Sequence, residues 1–197
     1  MRLNRRFSRS APRVAACLAP AFLSLFLSAA PLAAQTYGPS GDVPYVPTPP
    51  EVVEAMLKLG EVKNGDVLYD LGCGDGRIVI AAAKKAGARA FGFDIDPQMV
   101  ELSRLNIKNE GVGHLVTVEE RDIFQLDLSG ASVITLYLLP ELNVRLIPQL
   151  EKLKPGTRIV SHAFDMKGVQ PDVAAEVYTS QGIPFQVFLW TTPLRKK

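Results

Sequence analysis

The densest chemical information in this chain lies in Asp70-Leu71-Gly72-Cys73-Gly74-Asp75-Gly76-Arg77. Glycines at 72, 74 and 76 let a backbone turn tightly and approach a ligand without a Cβ in the way. Carboxylates at Asp70 and Asp75 flank them. A third, Asp94, follows about 20 residues on, where a nucleoside's ribose hydroxyls are held in such folds. A dinucleotide site would read Gly-x-Gly-x-x-Gly, with a helix N-terminus facing a pyrophosphate. Here the spacing is Gly-x-Gly-x-Gly, and a carboxylate within the loop would repel a pyrophosphate. It suits a sulfonium ligand that also carries an ammonium group. The pattern therefore points to S-adenosylmethionine rather than NAD(P), and with it to methyl transfer.

Other positions complete the expected site. Asp94 ends a strand and should face the ligand with Ile95, whereas Asp96 reads as the cap of the next helix. Asp122, after a third strand, is placed to meet an adenine edge together with the backbone of Ile123. A fourth strand runs into Tyr137-Leu138-Leu139-Pro140 at the end that faces a transferable methyl group. The Asn/Asp-Pro-Pro-Tyr pattern that grips a planar nitrogen is absent there, which counts against nucleobase and glutamine acceptors. Tyr137 is the candidate catalytic residue, orienting an amine; a core tyrosine is the equal alternative. His162 is either a base or a capped strand-end histidine. Tyr45, Val46, Leu138 and Leu139 would form an apolar rim that disfavours an ammonium and so favours a reactive amine.

The elements that must position these residues alternate. Residues 51–59 have helical spacing, with Thr48 as a possible N-cap. Strands are expected at 67–71, 89–95, 115–119, 132–138 and 158–163, and helices at 78–85, 97–109 and 141–153. Segments 176–179 and 185–191 then read as an antiparallel pair turning at Gly182-Ile183-Pro184. The fold class is α/β: a doubly wound, mostly parallel seven-stranded sheet of Rossmann-like class I methyltransferase type. The ligand belongs at the carboxyl ends of its strands.

Residues 35–50 hold five prolines and two glycines, which forbids regular structure. They are either a linker or a lid, and Tyr45 and Val46 favour the lid. The first 13 residues carry five arginines and no acid, 14–30 are apolar, and Ala33-Ala34 follow. This is the form of a secretory signal peptide cleaved near Ala34. An uncleaved membrane anchor through 14–30 and a mitochondrial presequence are the alternatives. Either export reading puts the domain outside, at odds with the cytoplasmic supply of S-adenosylmethionine. Without those arginines acids outnumber bases, which speaks against a polynucleotide partner. Two cysteines and two histidines build neither a disulfide framework nor a metal site.

Three segments together carry a family resemblance: Val43-Pro44-Tyr45-Val46-Pro47-Thr48-Pro49, Tyr69 through the glycine loop to Ile78, and Leu153-Lys154-Pro155-Gly156-Thr157-Arg158-Ile159-Val160-Ser161-His162. The chain resembles the broad-specificity protein-lysine methyltransferase of thermophilic archaea and the mitochondrial enzymes that methylate a lysine of the ATP synthase c subunit. The resemblance implies a non-SET lysine methyltransferase whose residues 45–48, Tyr45 and Thr48 among them, fold over the cofactor. A small-molecule or lipid acceptor, or a non-catalytic binding module, remains the competing reading. The N-terminal segment departs from the archaeal pattern, which lacks it.

Overall fold

The computed structural model describes residues 45–197. The expected leader and residues 35–44 of the proline-rich segment lie outside the described residues. From Tyr45 the chain enters α1 (Pro50–Leu59), then β1 (Val67–Leu71), α2 (Arg77–Ala86), β2 (Arg89–Asp94), α3 (Pro97–Asn109) and β3 (Val116–Glu120). A single 3-10 turn (Ile123–Gln125) precedes β4 (Val133–Leu136), α4 (Pro140–Leu150), β5 (Arg158–His162), β6 (Val173–Tyr178) and β7 (Pro184–Thr191).

The seven strands form one sheet in the order β3-β2-β1-β4-β5-β7-β6. β1 to β5 run parallel, and β7 is antiparallel to both β5 and β6. The chain winds outward from β1 to β3, then returns to place β4 on the other side of β1. That reversal opens a crevice at the carboxyl ends of β1 and β4, the usual ligand position in such sheets. β4 is buried on both faces, as its apolar run requires.

Both faces are covered. Val52, Met56, Val79 and Ile107 of α1, α2 and α3 pack with Leu68 of β1 on one side. Leu146 and Leu150 of α4 pack with Ile134, Leu136 and Trp190 on the other. The Asp96 carboxylate caps α3 by accepting from the amide of Gln98 at 2.8 Å. Gly87, at φ 63°, ends α2 in the left-handed conformation that favours glycine.

Two sequence expectations are corrected. Thr48 does not cap α1, which starts after Pro49 with no side-chain cap; its hydroxyl is bonded elsewhere. α4 ends at Leu150 rather than Leu153. Pro148 already removes one helical amide, and Pro155 drives Lys154 away from helical geometry, so the last turn opens. Leu153 is still buried against the same core.

Candidate active site

The glycine loop links β1 to α2 at the crevice. Gly72, Gly74 and Gly76 have φ of 80°, 53° and 80°. Each is also closely covered: a Cβ would lie 2.8 Å from Leu138 at Gly72, 2.5 Å from the Tyr45 ring at Gly74, and 2.9 Å from the Ser103 hydroxyl at Gly76. Other side chains hold the loop from behind. Ser103 donates to the carbonyl of Gly74 at 2.6 Å, and Asn106 to that of Asp75 at 2.9 Å. The amide of Gly74 donates to Asp94 at 2.8 Å, while the other Asp94 oxygen accepts from the amide of Asp96 at 3.0 Å. Asp94 thus sits beside the loop, and burial raises its carboxyl above the usual range. Ile95 next to it is 56% exposed.

Asp70 is buried at the end of β1, opposite Thr135 of β4 in the strand register. One oxygen accepts from the Thr135 hydroxyl at 2.7 Å. The other has no partner among the described residues. Burial pushes this carboxyl up to about 7; the Thr135 bond opposes the shift, and the Asp94 and Asp75 charges add to it. A buried carboxylate with one free oxygen, beside two further acids, fits a ligand carrying positive charge. The site therefore fits S-adenosylmethionine on its own geometry.

Asp75 differs from expectation. Its place in the motif predicts a carboxylate beside a cationic ligand, but its side chain faces Arg77, at 2.9 Å to Nε and 2.6 Å to Nη2. Burial pushes this group up, but the Arg77 bonds and charge outweigh that and hold it below the usual range. The same guanidinium donates to the carbonyl of Thr48 at 2.8 Å and to the Tyr45 hydroxyl at 3.3 Å. Residues 45–48 therefore lie on the loop. Burial first, and then the Asp75 charge, push the Tyr45 phenol up to about 12, so it stays neutral.

On the other side of the crevice stands an aromatic wall. Tyr137, directly after β4, lies against His162 with ring centres 3.9 Å apart, and stacks towards Phe164 at 6.5 Å. Phe185 meets His162 edge-on at 5.1 Å. His162 is fully buried, its Nε2 has no partner among the described residues, and burial lowers it to about 4. It is neutral near pH 7 and fits the strand-end reading better than that of an accessible base. Asn143 donates to the carbonyl of Phe164 at 3.2 Å and Ser161 to the same carbonyl at 2.6 Å, which fixes the turn at Ala163 (φ 64°). Leu138 is not a rim residue; it is buried over Gly72.

Asp122 stands after β3, as expected. Both its oxygens already accept locally, from the Phe124 amide at 2.9 Å and the Gln125 side chain at 2.8 Å. The Ile123 carbonyl faces Gln149 at 3.4 Å. The residues that sequence reading missed are Arg77, Ser103, Asn106, Thr135 and Asn143. Arg77 stands within the motif itself, yet nothing in its spacing reveals a partner 29 positions earlier.

The family described as "ANTKMT methyltransferase domain" matches residues 70–173, beginning at the first carboxylate of the loop motif. The chain is 44% identical over 137 residues to a protein-lysine N-methyltransferase of Saccharolobus islandicus (strain REY15A), covering 68% of this chain and 85% of the relative. It is 33% identical over 135 residues to the ATP synthase c-subunit lysine N-methyltransferase of Xenopus laevis, covering 66% of this chain and 57% of the relative. The chain thus spans just over half of the vertebrate enzyme. A solved structure described as an RNA methyltransferase from Salinibacter ruber, in complex with S-adenosyl-L-homocysteine, is 50% identical, with a TM-score of 0.70 over 75% of this chain and 94% of that one.

Proposed function

This chain belongs to the ANTKMT methyltransferase-domain family, and we propose that it methylates the side-chain amine of a protein lysine. S-adenosylmethionine is its cofactor; when bound, it supplies a methyl group activated on a positively charged sulfur. The free oxygen of Asp70 and the backbone at Gly72, Gly74, Asp75 and Gly76 would hold its amino-acid end. Asp94 and Ile95 would hold the ribose, and Asp122 and Ile123 the adenine edge. Tyr45 and Thr48 close the site from above.

The observation that carries the acceptor reading is the wall of Tyr137, His162 and Phe164. Tyr137 and Phe164 offer half-buried ring surface, the buried His162 backs them, and no side chain of the three is ionised near pH 7. The π faces of such rings attract an entering ammonium, which guides a lysine side chain to the site; the attacking species is the free amine that remains once the ammonium has given its proton to solvent. The Tyr137 phenol, pushed up by burial, stays protonated; its oxygen would accept from an amine N–H and leave the lone pair free for direct displacement. Alignment then supplies much of the rate. The names of the archaeal and vertebrate relatives support a lysine acceptor.

The Salinibacter relative favours RNA as a second reading. The excess of acids over bases beyond the first 13 residues weighs against it. Purified protein incubated with methyl-labelled cofactor and a cell-envelope extract separates the readings. Label in protein that disappears after chemical blocking of lysines is the expected result. Label in RNA, or in the lipid or small-molecule fraction, would replace the lysine assignment. Binding without transfer would leave a non-catalytic module.

A further inference from the structure

We propose that Arg77 is a positioning residue that locks residues 45–48 onto the cofactor loop, and that Asp75 serves the site through Arg77 rather than by its carboxylate touching the ligand. The inference rests on the cofactor reading and concerns how that site is closed.

Arg77 opens α2, whose first turn contains no acidic side chain. A cation at a helix N-terminus meets the positive end of the helix dipole, so its placement there needs another reason. The reason is its set of partners. Nε and Nη2 engage the two oxygens of Asp75, Nη1 reaches the carbonyl of Thr48 at 2.8 Å, and Nη2 also reaches the Tyr45 hydroxyl. All three guanidinium nitrogens are used, spread between the loop and the segment above it. The planar fork of arginine permits this, and the single ammonium of lysine does not. The Arg77 and Asp75 side chains are 33% and 17% exposed, and ion pairs this close to solvent add little to fold stability. What the pair does is hold a geometry.

That geometry matters because the segment has few other ties. Tyr45, Val46 and Pro47 are exposed, and the Tyr45 ring rests on Gly74. Among the described residues, the polar anchors of 45–48 are Arg77 and the Thr48–His162 contact. Without Arg77, Tyr45 loses its hydroxyl partner and Thr48 its carbonyl partner.

Charge and positioning predict opposite results. Removing the cation paired with Asp75 makes the loop more negative, which by electrostatics alone tightens a cationic ligand. Loss of the lock weakens it. Calorimetric titration of S-adenosylmethionine into the full-length protein and its R77M, R77K, R77A, Y45A and Y45A/R77M variants decides between them, with thermal melts as a check on folding. R77M should bind about tenfold more weakly, on the scale of one lost charge-assisted hydrogen bond. R77K should not recover the loss, and the double variant should be no weaker than the weaker single one. Added ethylguanidinium should restore part of the affinity of R77A, an effect that a purely structural role would not produce. Unchanged or tighter binding in R77M, or additive losses in the double variant, would overturn the proposal. If R77M does not fold, wild-type affinity in R77K would do the same. Failure of the wild-type protein to bind S-adenosylmethionine would instead remove the cofactor reading.

Discussion

The hydroxyl of Thr48 lies 3.2 Å from Nδ1 of His162, joining residues 114 positions apart. Both are buried, at 3% and 0% exposure. The contact fastens the approach to α1 onto the last residue of β5, at the carboxyl edge of the sheet where the site lies. Thr48 does not cap the helix that follows because Pro49 occupies the N-cap position, one residue later.

Thr48→Val keeps the shape and removes the hydroxyl, leaving a buried ring nitrogen with no partner. The expected loss is about 1–3 kcal/mol of stability. Urea denaturation should show a lower midpoint with an unchanged slope. A midpoint equal to that of the wild type would mean that the contact holds nothing.

Asp70 and His162 should pull stability in opposite directions across mildly acidic pH. The Asp70 carboxyl rises from 3.8 to about 7 on folding, so the folded chain binds the extra proton and, without ligand, loses stability as pH climbs through that window. His162 falls from 6.5 to about 4, so the unfolded chain binds the proton first and stability is lost as pH drops through its window. Relative to the wild type, D70N should become less stable towards pH 4, and H162F should become more stable. Parallel pH profiles in all three proteins would show that neither group carries its shift.

Cofactor affinity should strengthen as pH rises through about 7, because the cationic ligand favours the ionised form of Asp70. D70N should flatten that dependence and weaken binding by about 10- to 100-fold, the range for a lost hydrogen bond to a charged group. Calorimetry from pH 6 to pH 8 would read it, and a pH-independent wild-type affinity would remove Asp70 from the site.

Gly74→Ala meets two obstacles, a φ of 53° and the Tyr45 ring 2.5 Å from the new Cβ. Affinity for S-adenosylmethionine should fall, and adding Y45A should return only part of it. The second change relieves the crowding, but it leaves the backbone strain, of order 1–3 kcal/mol, and also removes the Tyr45 tie to Arg77. Full recovery in the double variant would show that the conformation at 74 needs no glycine.

We also expect the mature chain to begin at Gln35, if residues 1–34 act as a cleaved leader. N-terminal sequencing of protein from fractionated cells of the source organism checks it. A soluble cytoplasmic protein that retains Met1 would refute export and remove the conflict with cofactor supply. No helix among the described residues is long and apolar enough to cross a membrane.

The α/β winding, the position of the cofactor loop and the charge of the ligand it suits are all legible along the chain. These are local properties: hydrophobic period, glycine spacing and carboxylates a few positions from a turn are written along the chain. The cap at Asp96 could be read for the same reason. Tertiary structure alone decided what each side chain faces. Strand register puts Thr135 against Asp70, and the packing of α3 brings Ser103 and Asn106 to the back of the loop. Asp75 shows the limit most clearly. Its place in the motif suggested a ligand contact, yet folding delivers Arg77 and residues 45–48 to the same point, and the carboxylate goes to the guanidinium. Partners such as Arg77 and Thr48 are far apart in the chain and meet only once the sheet and its helices have packed, so no spacing rule announces them.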